Sequence, residues 1–319
     1  MNQIEILTTH QVSAVLADNF DLALASTERV FDLLGKGQIR APIKAYLQRQ
    51  DNAHTADRLV ALPAMVFESP PLIGTKIIGS HPDNTSRGLA RASAVIVLND
   101  PETMHPVAIM PGGLISAMRT MATAGLCVRK LLPDLKVLGL VGMGRLGNLA
   151  VKWLPQILPS IRLIRYFSRT ECSEGHPPNA LVERSDLKEV LSKSDAVIIA
   201  TQAPIPYIGL ADLGTAWVLI NLSLMDCKPE VFMEADSIIV DNCPQAVAAK
   251  KVLKEVVENG SVRADRLQTI SSLLAGEYLN LGNRVLVNPI GLGAQDVHLA
   301  HAVLQAVRVR GMVSRFDWD

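Results

Sequence analysis

The sequence is poor in aromatic residues and has no net charge. Phe, Trp and Tyr make up 4% of its 319 residues, and 31 Lys and Arg residues are balanced by 31 Asp and Glu residues. Proteins that bind nucleic acids present a basic surface and aromatic platforms on which bases stack. The composition therefore predicts no nucleic-acid partner.

Metal-binding cysteine motifs, long apolar runs and hydrolase motifs are also absent. The four cysteines form no CxxC pair and have no histidine at metal-ligand spacing. No apolar run reaches the roughly 20 residues that cross a bilayer. The opening MNQIEILTTHQ lacks a basic segment followed by an apolar core, and no GxSxG, HExxH or Cys/His pairing supports a hydrolase. We expect a cytoplasmic protein without a bound metal or a membrane segment.

The chain is rich in apolar residues and long enough for two domains. Hydrophobic residues make up 49% of it and charged residues 19%, as in compact enzymes. From about Leu135 onward, helical stretches, including an amphipathic one around residues 245–258, alternate with apolar strands: KVLGLVG, DAVIIAT, AWVLINLS, DSIIVDN and NRVLVNP. This alternation predicts an α/β fold with a Rossmann-type, doubly wound parallel sheet.

The first 120 residues have a different pattern. Strand-like runs such as RLVALPAMV and ASAVIVLND follow one another with few helices between them, after one or two helices near residues 11–35. This pattern predicts a mixed sheet. The segment after Pro289 is again helical in pattern. We expect residues 1–120 to form a mixed α+β substrate-binding domain to which residues 290–319 return, with the doubly wound domain, residues 121–289, lying between them in the sequence.

A glycine motif follows the first apolar strand of the second region. The chain there reads Gly142, Met143, Gly144, Arg145, Leu146 and Gly147. The first glycine permits a tight turn, the second lets the backbone approach a pyrophosphate, and the third allows close helix packing. An ordinary glycine-rich turn is the alternative. In its strand-to-helix context, the motif predicts dinucleotide binding.

The end of the next strand bears on the choice of dinucleotide. An Asp or Glu there would bind the ribose hydroxyls of NAD, but the chain has Ser168, Arg169 and Thr170. A hydroxyl followed by a guanidinium accepts a 2′-phosphate, which a carboxylate would repel. The pattern favours NADP(H) over NAD(H), and Glu171 is the residue that would serve NAD instead.

Polar side chains also follow the later strands. Thr201 comes after DAVIIA, Asn221 and Ser223 come at the end of AWVLINLS, and Asp226 lies three residues further on. Ligands of open α/β sheets bind beyond the carboxyl ends of the strands. We expect Asp226 near the nicotinamide as a general acid or base. A turn or helix-capping aspartate is the alternative interpretation.

Two cationic residues interrupt apolar patterns in the first region. Lys76 lies within the strand-like LIGTKIIGS, where an ammonium points either to solvent or into a polar site. Arg119 lies on a largely apolar helix, in one stripe with Ser116, Thr120 and Thr123. A buried guanidinium is a good fork for a carboxylate. We predict a carboxylate ligand, with an internal ion pair as the alternative.

Two further polar stretches are less specific. Lys44, in APIKAYLQR, is either an ordinary exposed lysine or a second anchor for an acidic substrate. The stretch NAHTADR contains His54, Asp57 and Arg58 before a strand, and we expect it to form a surface loop.

Taken together, these motifs resemble the ornithine cyclodeaminase and mu-crystallin family over nearly the whole chain. The resemblance rests on GTKIIGS, ASAVIVLNDPETMHPVAIM, ISAMRTMATAG, GMGRLG and NPIGLGAQDV. It implies a homodimer in which Lys76 and Arg119 hold the carboxylate of an amino-acid substrate and Asp226 exchanges protons at the reacting amine. It also implies that Arg91 and Ser93 lie near the cofactor or substrate, and Ile290 and Gly291 near the nicotinamide.

Within this family the chain is most similar to enzymes that act on N-(2-amino-2-carboxyethyl)-L-glutamate. Those enzymes release 2,3-diaminopropionate and 2-oxoglutarate in siderophore or antibiotic biosynthesis. The shared stretches are KAYLQRQDNAHTADRLVALPA, GSHPDNTSRGLARASAVIVLNDPET and INLSLMDCKPEVFMEADSIIVDN. The strand end differs, because those enzymes carry an acidic residue there and use NAD, whereas Ser168-Arg169 is similar to NADP-binding ketimine reductases of the wider family.

The leading hypothesis is an NAD(P)-dependent oxidoreductase of an amino-acid C–N bond. It would oxidise N-(2-amino-2-carboxyethyl)-L-glutamate to an imine that hydrolyses to the two products. Three alternatives remain at this point: an ornithine or lysine cyclodeaminase, an NADPH-dependent ketimine or pyrroline-carboxylate reductase, and a non-catalytic, crystallin-like NADP-binding protein. MDCKP around Asp226 replaces the GDCPGK type of segment found in cyclodeaminases.

Overall fold

The computed structural model describes residues 3–48, 57–175, 177–249, 251–278 and 280–318. It consists of two compact units. Unit 1 comprises Met1–Ala122 and Gly291–Asp319, and unit 2 comprises Thr123–Ile290.

Unit 1 begins with short strands around two helices and continues with four longer strands. Helix α1 begins after Thr8, whose hydroxyl accepts from the backbone N–H of Gln11, and α2 begins after Asn19, whose side chain accepts from Leu22. In chain order the elements are β1 (Gln3–Ile6), α1 (Thr9–Leu16), α2 (Phe20–Gly35), β2 (Ile39–Arg40), β3 (Ala45–Gln48), β4 (Arg58–Val66), β5 (Leu72–Ser80), β6 (Ala92–Asn99), β7 (Pro106–Pro111) and α3 (Gly113–Leu131). The residues of α3 from Thr123 onward belong to unit 2.

Unit 2 alternates strands with mostly short helices. Its elements are β8 (Val137–Val141), α4 (Arg145–Ile157), β9 (Leu163–Phe167), β10 (Leu181–Arg184), α5 (Leu187–Ser192), β11 (Ala196–Ile199), β12 (Trp217–Asn221), α6 (Pro229–Glu234), β13 (Ser237–Val240), α7 (Cys243–Ala248), α8 (Val252–Glu258), β14 (Leu267–Thr269), α9 (Ile270–Ala275) and β15 (Arg284–Val287). Strands β11 and β13 are buried at every position, as expected for strands covered on both faces.

The chain then returns to unit 1 as α10 (Gly293–Val309) and β16 (Ser314–Asp317). The strand order of the unit 1 sheet is β16-β1-β7-β6-β5-β4-β2, with β3 also paired to β4. The β1–β7 pair is parallel and the other pairs are antiparallel, so the sheet is mixed. Helix α10 packs against α2, β4 and β5 and buries its apolar residues there.

The sheet of unit 2 is parallel throughout, in the order β10-β9-β8-β11-β12-β15-β13-β14. The chain moves outward from β8 in one direction and then in the other, so the strand order reverses between β8 and β11. Such a reversal leaves a crevice at the carboxyl ends of the two strands, where doubly wound folds bind ligands. The predicted fold class is confirmed.

The prediction of one continuous amphipathic helix around residues 245–258 is wrong. The structure has two helices there, α7 and α8, because Ala249 adopts an extended conformation with φ −68° and ψ 132°. Ala246 of α7 and Val252 and Val256 of α8 nevertheless belong to the same apolar core. Because the apolar periodicity continues across the break, the sequence pattern did not reveal the break.

Across the described ranges, no helix is both long and apolar enough to cross a membrane. In the same residues, no three His, Cys, Asp or Glu side chains are grouped so as to hold a metal ion.

Strand β5 has two glycines in very different surroundings. A Cβ added at Gly74 would lie 2.6 Å from the carbonyl oxygen of Val97 and 3.3 Å from Val297 of α10. A Cβ at Gly79 would meet only Leu59, at an ordinary 3.6 Å. We predict that Gly74→Ala lowers the free energy of unfolding in urea by about 1–3 kcal/mol through overpacking.

Gly79→Ala is the matched control, with an expected change within about 0.5 kcal/mol. Equal losses of stability in the two variants would contradict the packing described for β5.

Candidate functional site

Lys76 is a buried cation in the middle of the unit 1 sheet. It is 2% exposed, and its neighbours across β4 and β6 are the apolar Leu62 and Ile96. A charge in such surroundings requires polar partners. Its ammonium lies 2.6 Å from Oδ2 of Asp296 and donates to the Ser116 hydroxyl at 3.0 Å. Of the two orientations left open by the sequence, the structure has the buried one.

Arg119 of α3 approaches the same carboxylate. Its Nε donates to Oδ1 of Asp296 at 3.2 Å, and its Nη2 donates to Ser116 at 3.3 Å. Its Nη1 donates to the side-chain oxygen of Gln295 at 3.4 Å. The guanidinium fits because Gly291 has no side chain, since a Cβ there would lie 2.5 Å from Nη1. Lys76, Ser116, Arg119, Gln295 and Asp296 are called the cation cluster below.

The cation cluster carries more positive than negative charge. Burial favours the neutral amine and lowers the pKa of Lys76 to about 8, although Asp296 opposes this shift. Burial alone would raise the pKa of Asp296, but Arg119 and Lys76 outweigh burial and hold that pKa below its ordinary value. Two cations thus share one carboxylate. Such a cluster can accept one further anion.

Asp296 and Gln295 were missed in the sequence. Asp296 is fully buried in the first turn of α10, where a helix favours an acidic side chain. The signal was present: an Asp beside a Gln on a helix that is otherwise apolar in its first turns. The same residues also fit an ordinary helix start, so the signal was not specific.

The other residues of unit 1 that the sequence suggested are not part of the cation cluster. Lys44 is half-buried between β2 and β3. Arg91 is half-buried, and burial and the nearby Arg58 lower its pKa. Ser93 is exposed and lines a cavity of about 560 Å³ near the ends of β4 and β5. In the described part of the chain, no hydrogen bond or ion pair joins Arg91 or Ser93 to the cation cluster. His54 lies outside the described residues.

The glycine motif of unit 2 forms a tight turn between β8 and α4. Gly142 has φ +102°, and a Cβ there would lie 2.6 Å from the carbonyl oxygen of Ala200. A Cβ on Gly147 would lie 2.2 Å from the carbonyl oxygen of Gly142. Gly144 has open space where a Cβ would stand and precedes the helix without a side-chain cap. The turn has the form that close approach of a pyrophosphate needs.

Met143, Arg145 and Leu146 complete this turn. Met143 is buried, whereas Arg145 is exposed in the first turn of α4 and Leu146 is half-buried beside it. The backbone N–H of Met143 donates to the hydroxyl of Ser168 at 3.1 Å, and its carbonyl accepts from Thr170 at 3.3 Å. The glycine turn is therefore hydrogen-bonded to the end of β9.

The end of β9 carries positive charge on its exposed side. Arg169 is exposed, and Arg184 at the end of β10 donates to the carbonyl oxygen of Ser168 at 2.7 Å. Glu171 accepts from Arg184 and, at 2.6 Å, from the hydroxyl of Tyr166. The acidic residue that would have served NAD is thus held by two other side chains. Arg184 was not predicted, because no pattern connects it with β9.

Asp226 is fully buried, and hydroxyl groups surround it. Its two carboxylate oxygens accept from Thr201 and Ser223. The hydroxyl of Tyr207 lies against Asp226 and Thr201, and burial together with the nearby carboxylate raises the pKa of this tyrosine. The residue is neither a helix cap nor an exposed turn aspartate, since it is buried and Lys228 occupies the N-cap position of α6. Tyr207 was missed, because PIPYIGL has no periodic signal.

Two amides and a loop residue complete the strand ends. Asn221, at the end of β12, donates to the side-chain oxygen of Asn288 at 2.8 Å and accepts from the backbone N–H of Leu224. Ile290 is half-buried, and its N–H donates to Asp241 at 3.2 Å. These contacts fix the backbone that follows β12 and β15.

Comparison with known proteins agrees with this architecture. The chain is 32% identical over 283 residues to N-((2S)-2-amino-2-carboxyethyl)-L-glutamate dehydrogenase of Staphylococcus aureus. The aligned residues cover 83% of each chain. Two solved structures, each 23% identical, share the fold. A protein named CmnK has a TM-score of 0.88 over 99% of both chains, and an archaeal alanine dehydrogenase dimer with bound NAD has 0.83 over 99% of this chain and all of the other.

The family assignment rests on a profile match as well as on these relatives. The model of the ornithine cyclodeaminase/mu-crystallin family matches residues 4–208. The resemblance stated from the motifs is therefore confirmed, as is the prediction that the chain is an enzyme of this kind. The chain belongs to the ornithine cyclodeaminase/mu-crystallin family.

Proposed function

We propose that the chain is an NAD(P)-dependent oxidoreductase that oxidises N-(2-amino-2-carboxyethyl)-L-glutamate at its secondary amine. The observation that carries the proposal is the cation cluster, in which Lys76 and Arg119 share the single carboxylate of Asp296. An amino-acid carboxylate is an anion of the size and charge that such a cluster accepts. The S. aureus relative, 32% identical, supports the choice of substrate.

The residues present in unit 2 fit a dinucleotide. The open space at Gly144 and the uncapped start of α4 suit a pyrophosphate, and Ser168 and Arg169 lie where the adenosine ribose is read in such folds. Thr201, Asn221, Ser223 and Ile290 would serve the nicotinamide end, and Gly291 makes room for Arg119. When bound, the nicotinamide supplies a hydride acceptor.

Asp226 would handle the protons of the reaction. Loss of hydride from the Cα that bears the secondary amine requires loss of the amine proton, which Asp226 accepts, and an imine forms. Asp226 then returns this proton to the imine nitrogen, and its carboxylate takes a proton from water as the oxygen adds to the imine carbon. Asp226 gives that proton to the departing nitrogen as the carbinolamine breaks its C–N bond, and the hydroxyl proton is lost as the ketone forms, giving 2-oxoglutarate and 2,3-diaminopropionate. Throughout, Lys76 and Arg119 hold the substrate carboxylate and keep the carbon in place.

We further propose that NADP(H) is preferred over NAD(H). Arg169 and Arg184 are both exposed at the ends of neighbouring strands, and the hydroxyls of Ser168 and Thr170 lie beside them. A 2′-phosphate would bind to these donors. Glu171 is engaged by Tyr166 and Arg184, so it does not compete for the ribose.

The chain is also proposed to act as a homodimer in the cytoplasm. Leu47 and Leu59 are 67% and 44% exposed, and they are paired on one face of the sheet, near the exposed Ile43. Exposed apolar groups of this kind are covered when copies associate, and the archaeal structure is a dimer. The products suit a role in siderophore or antibiotic biosynthesis, as the family resemblance implies.

The substrate assignment predicts the products. Incubating the enzyme with N-(2-amino-2-carboxyethyl)-L-glutamate and NADP or NAD should yield 2-oxoglutarate and 2,3-diaminopropionate in equal amounts, with one cofactor reduced per turnover, as measured by mass spectrometry and absorbance. Asp226→Asn should lower kcat by about 10²- to 10⁴-fold, because proton transfer is lost.

The control is Asp212→Asn, which changes a carboxylate of the same unit that accepts from the N–H of Gly209 at 2.8 Å. It should leave kcat unchanged. A cyclic product, or a mixture without 2-oxoglutarate, would refute the substrate assignment.

The cofactor assignment predicts a selective defect. Arg169→Ala should weaken NADPH binding by about 10- to 100-fold, because one charged hydrogen bond to the phosphate is lost. NADH binding should stay within about twofold, since NADH lacks the phosphate. Fluorescence titration with both cofactors measures the two affinities.

Arg162→Ala supplies the matched control, because Arg162 is also exposed but lies before the start of β9 and donates to the carbonyl oxygen of Pro159 at 2.7 Å. Equal losses of affinity for NADPH and NADH in Arg169→Ala would refute the proposal that Arg169 binds the 2′-phosphate.

A further inference from the structure

The start of α10 supplies two of the five residues of the cation cluster. Asp296 lies between Lys76 of β5 and Arg119 of α3 and contacts both, at 2.6 Å and 3.2 Å. Gln295, one residue earlier, accepts from the backbone N–H of Leu292 and from Arg119. The carboxylate is thus fixed by the helix and orients both cations.

Two charged side chains lie close to Lys76 among the residues that the structure describes. From α10 it faces Asp296, from α3 it faces Arg119 and the neutral Ser116, and on β4 and β6 its neighbours are Leu62 and Ile96. Asp296 is therefore the group that favours the charged form of Lys76, while burial and Arg119 favour the neutral amine. With a pKa of about 8, Lys76 is a cation at neutral pH and loses its proton as the pH rises through that value.

Removing this carboxylate would leave two cations together in a dry interior. Two like charges close together in a buried site repel each other strongly, so the lysine would lose its proton at a lower pH. With Asp296 in place, the cluster has one excess positive charge. That excess matches one carboxylate of a substrate.

We propose that Asp296 is a positioning residue of the substrate-carboxylate anchor, one that keeps Lys76 protonated and limits the anchor to a single excess positive charge. The proposal rests on the carboxylate-binding role of Lys76 and Arg119 given under the proposed function. Asp296 acts through the two cations and does not itself touch the substrate.

The first test follows Lys76 itself, without any substrate. NMR of the full chain carrying isotope-labelled lysine, with the signal assigned through Lys76→Met, gives the midpoint of its titration. Asp296→Asn should lower that midpoint by about one to three pH units. The control is Glu68→Gln, which removes a half-buried carboxylate that contacts His298 of the same helix at 3.2 Å. The midpoint should not move in that variant. An unchanged midpoint in Asp296→Asn would overturn the assignment.

The second test uses the pH dependence of KM for N-(2-amino-2-carboxyethyl)-L-glutamate. In the wild type, KM should rise as Lys76 deprotonates above pH 8 or so, and in Asp296→Asn the rise should begin at a pH lower by the same shift as the NMR midpoint. A KM profile that stays in place while the NMR midpoint moves would show that Asp296 does not act on the substrate through Lys76. If the midpoint falls and neither protein turns over the substrate, the proposed function fails and the assignment of Asp296 to Lys76 stands.

If Asp296→Asn fails to fold, a second variant still tests the proposal. At a pH below the lowered midpoint, where Lys76 of Asp296→Asn is charged, adding Lys76→Met removes the repulsion between Lys76 and Arg119. The double variant should therefore melt at a higher temperature than Asp296→Asn alone at that pH. A double variant that is no more stable would contradict the charge-setting role.

Discussion

The fold of unit 1 holds a carboxylate between two buried cations, and its site depends on that interaction. Lys76 lies among apolar neighbours on a central strand, and Arg119 points from a helix that is otherwise largely buried. Neither position tolerates a cation without a counter-ion, and removing one partner of a buried ion pair costs about 3–5 kcal/mol. Asp296 provides that counter-ion for both cations. Under the proposed function, structural stability and anion binding would come from the same contact.

Unit 2 prepares its ligand surface by a different means. Its turn at Gly142 and Gly147 depends on the absence of side chains, and its acid, Asp226, is held by neutral hydroxyls. Backbone amides at a helix start bind a phosphate without a buried charge, while a hydroxyl-bound carboxylate keeps a fixed orientation for proton transfer. Arg169 and Arg184, which we propose bind the 2′-phosphate, are exposed.

The sequence predicted what is encoded locally and missed what depends on distant pairing. Alternating apolar strands and helices indicated the parallel sheet, and Lys76 and Arg119 were found because each contradicts its own apolar pattern. Asp296 was missed because it meets Arg119 across 177 residues of chain and also fits an ordinary helix start. The break at Ala249 was missed because apolar residues on both sides of it belong to the same core, so the apolar periodicity continues across the extended residue.

The central claim is that the cation cluster binds the substrate carboxylate next to the oxidised carbon. The most direct measurement compares kcat/KM for N-(2-amino-2-carboxyethyl)-L-glutamate with that for the analogue in which this one carboxylate is a carboxamide of the same shape. The account predicts a loss of at least about a hundredfold, because the carboxamide carries no negative charge and the two charged hydrogen bonds from Lys76 and Arg119 are weakened. Values for the two compounds within a factor of about two to three would contradict it.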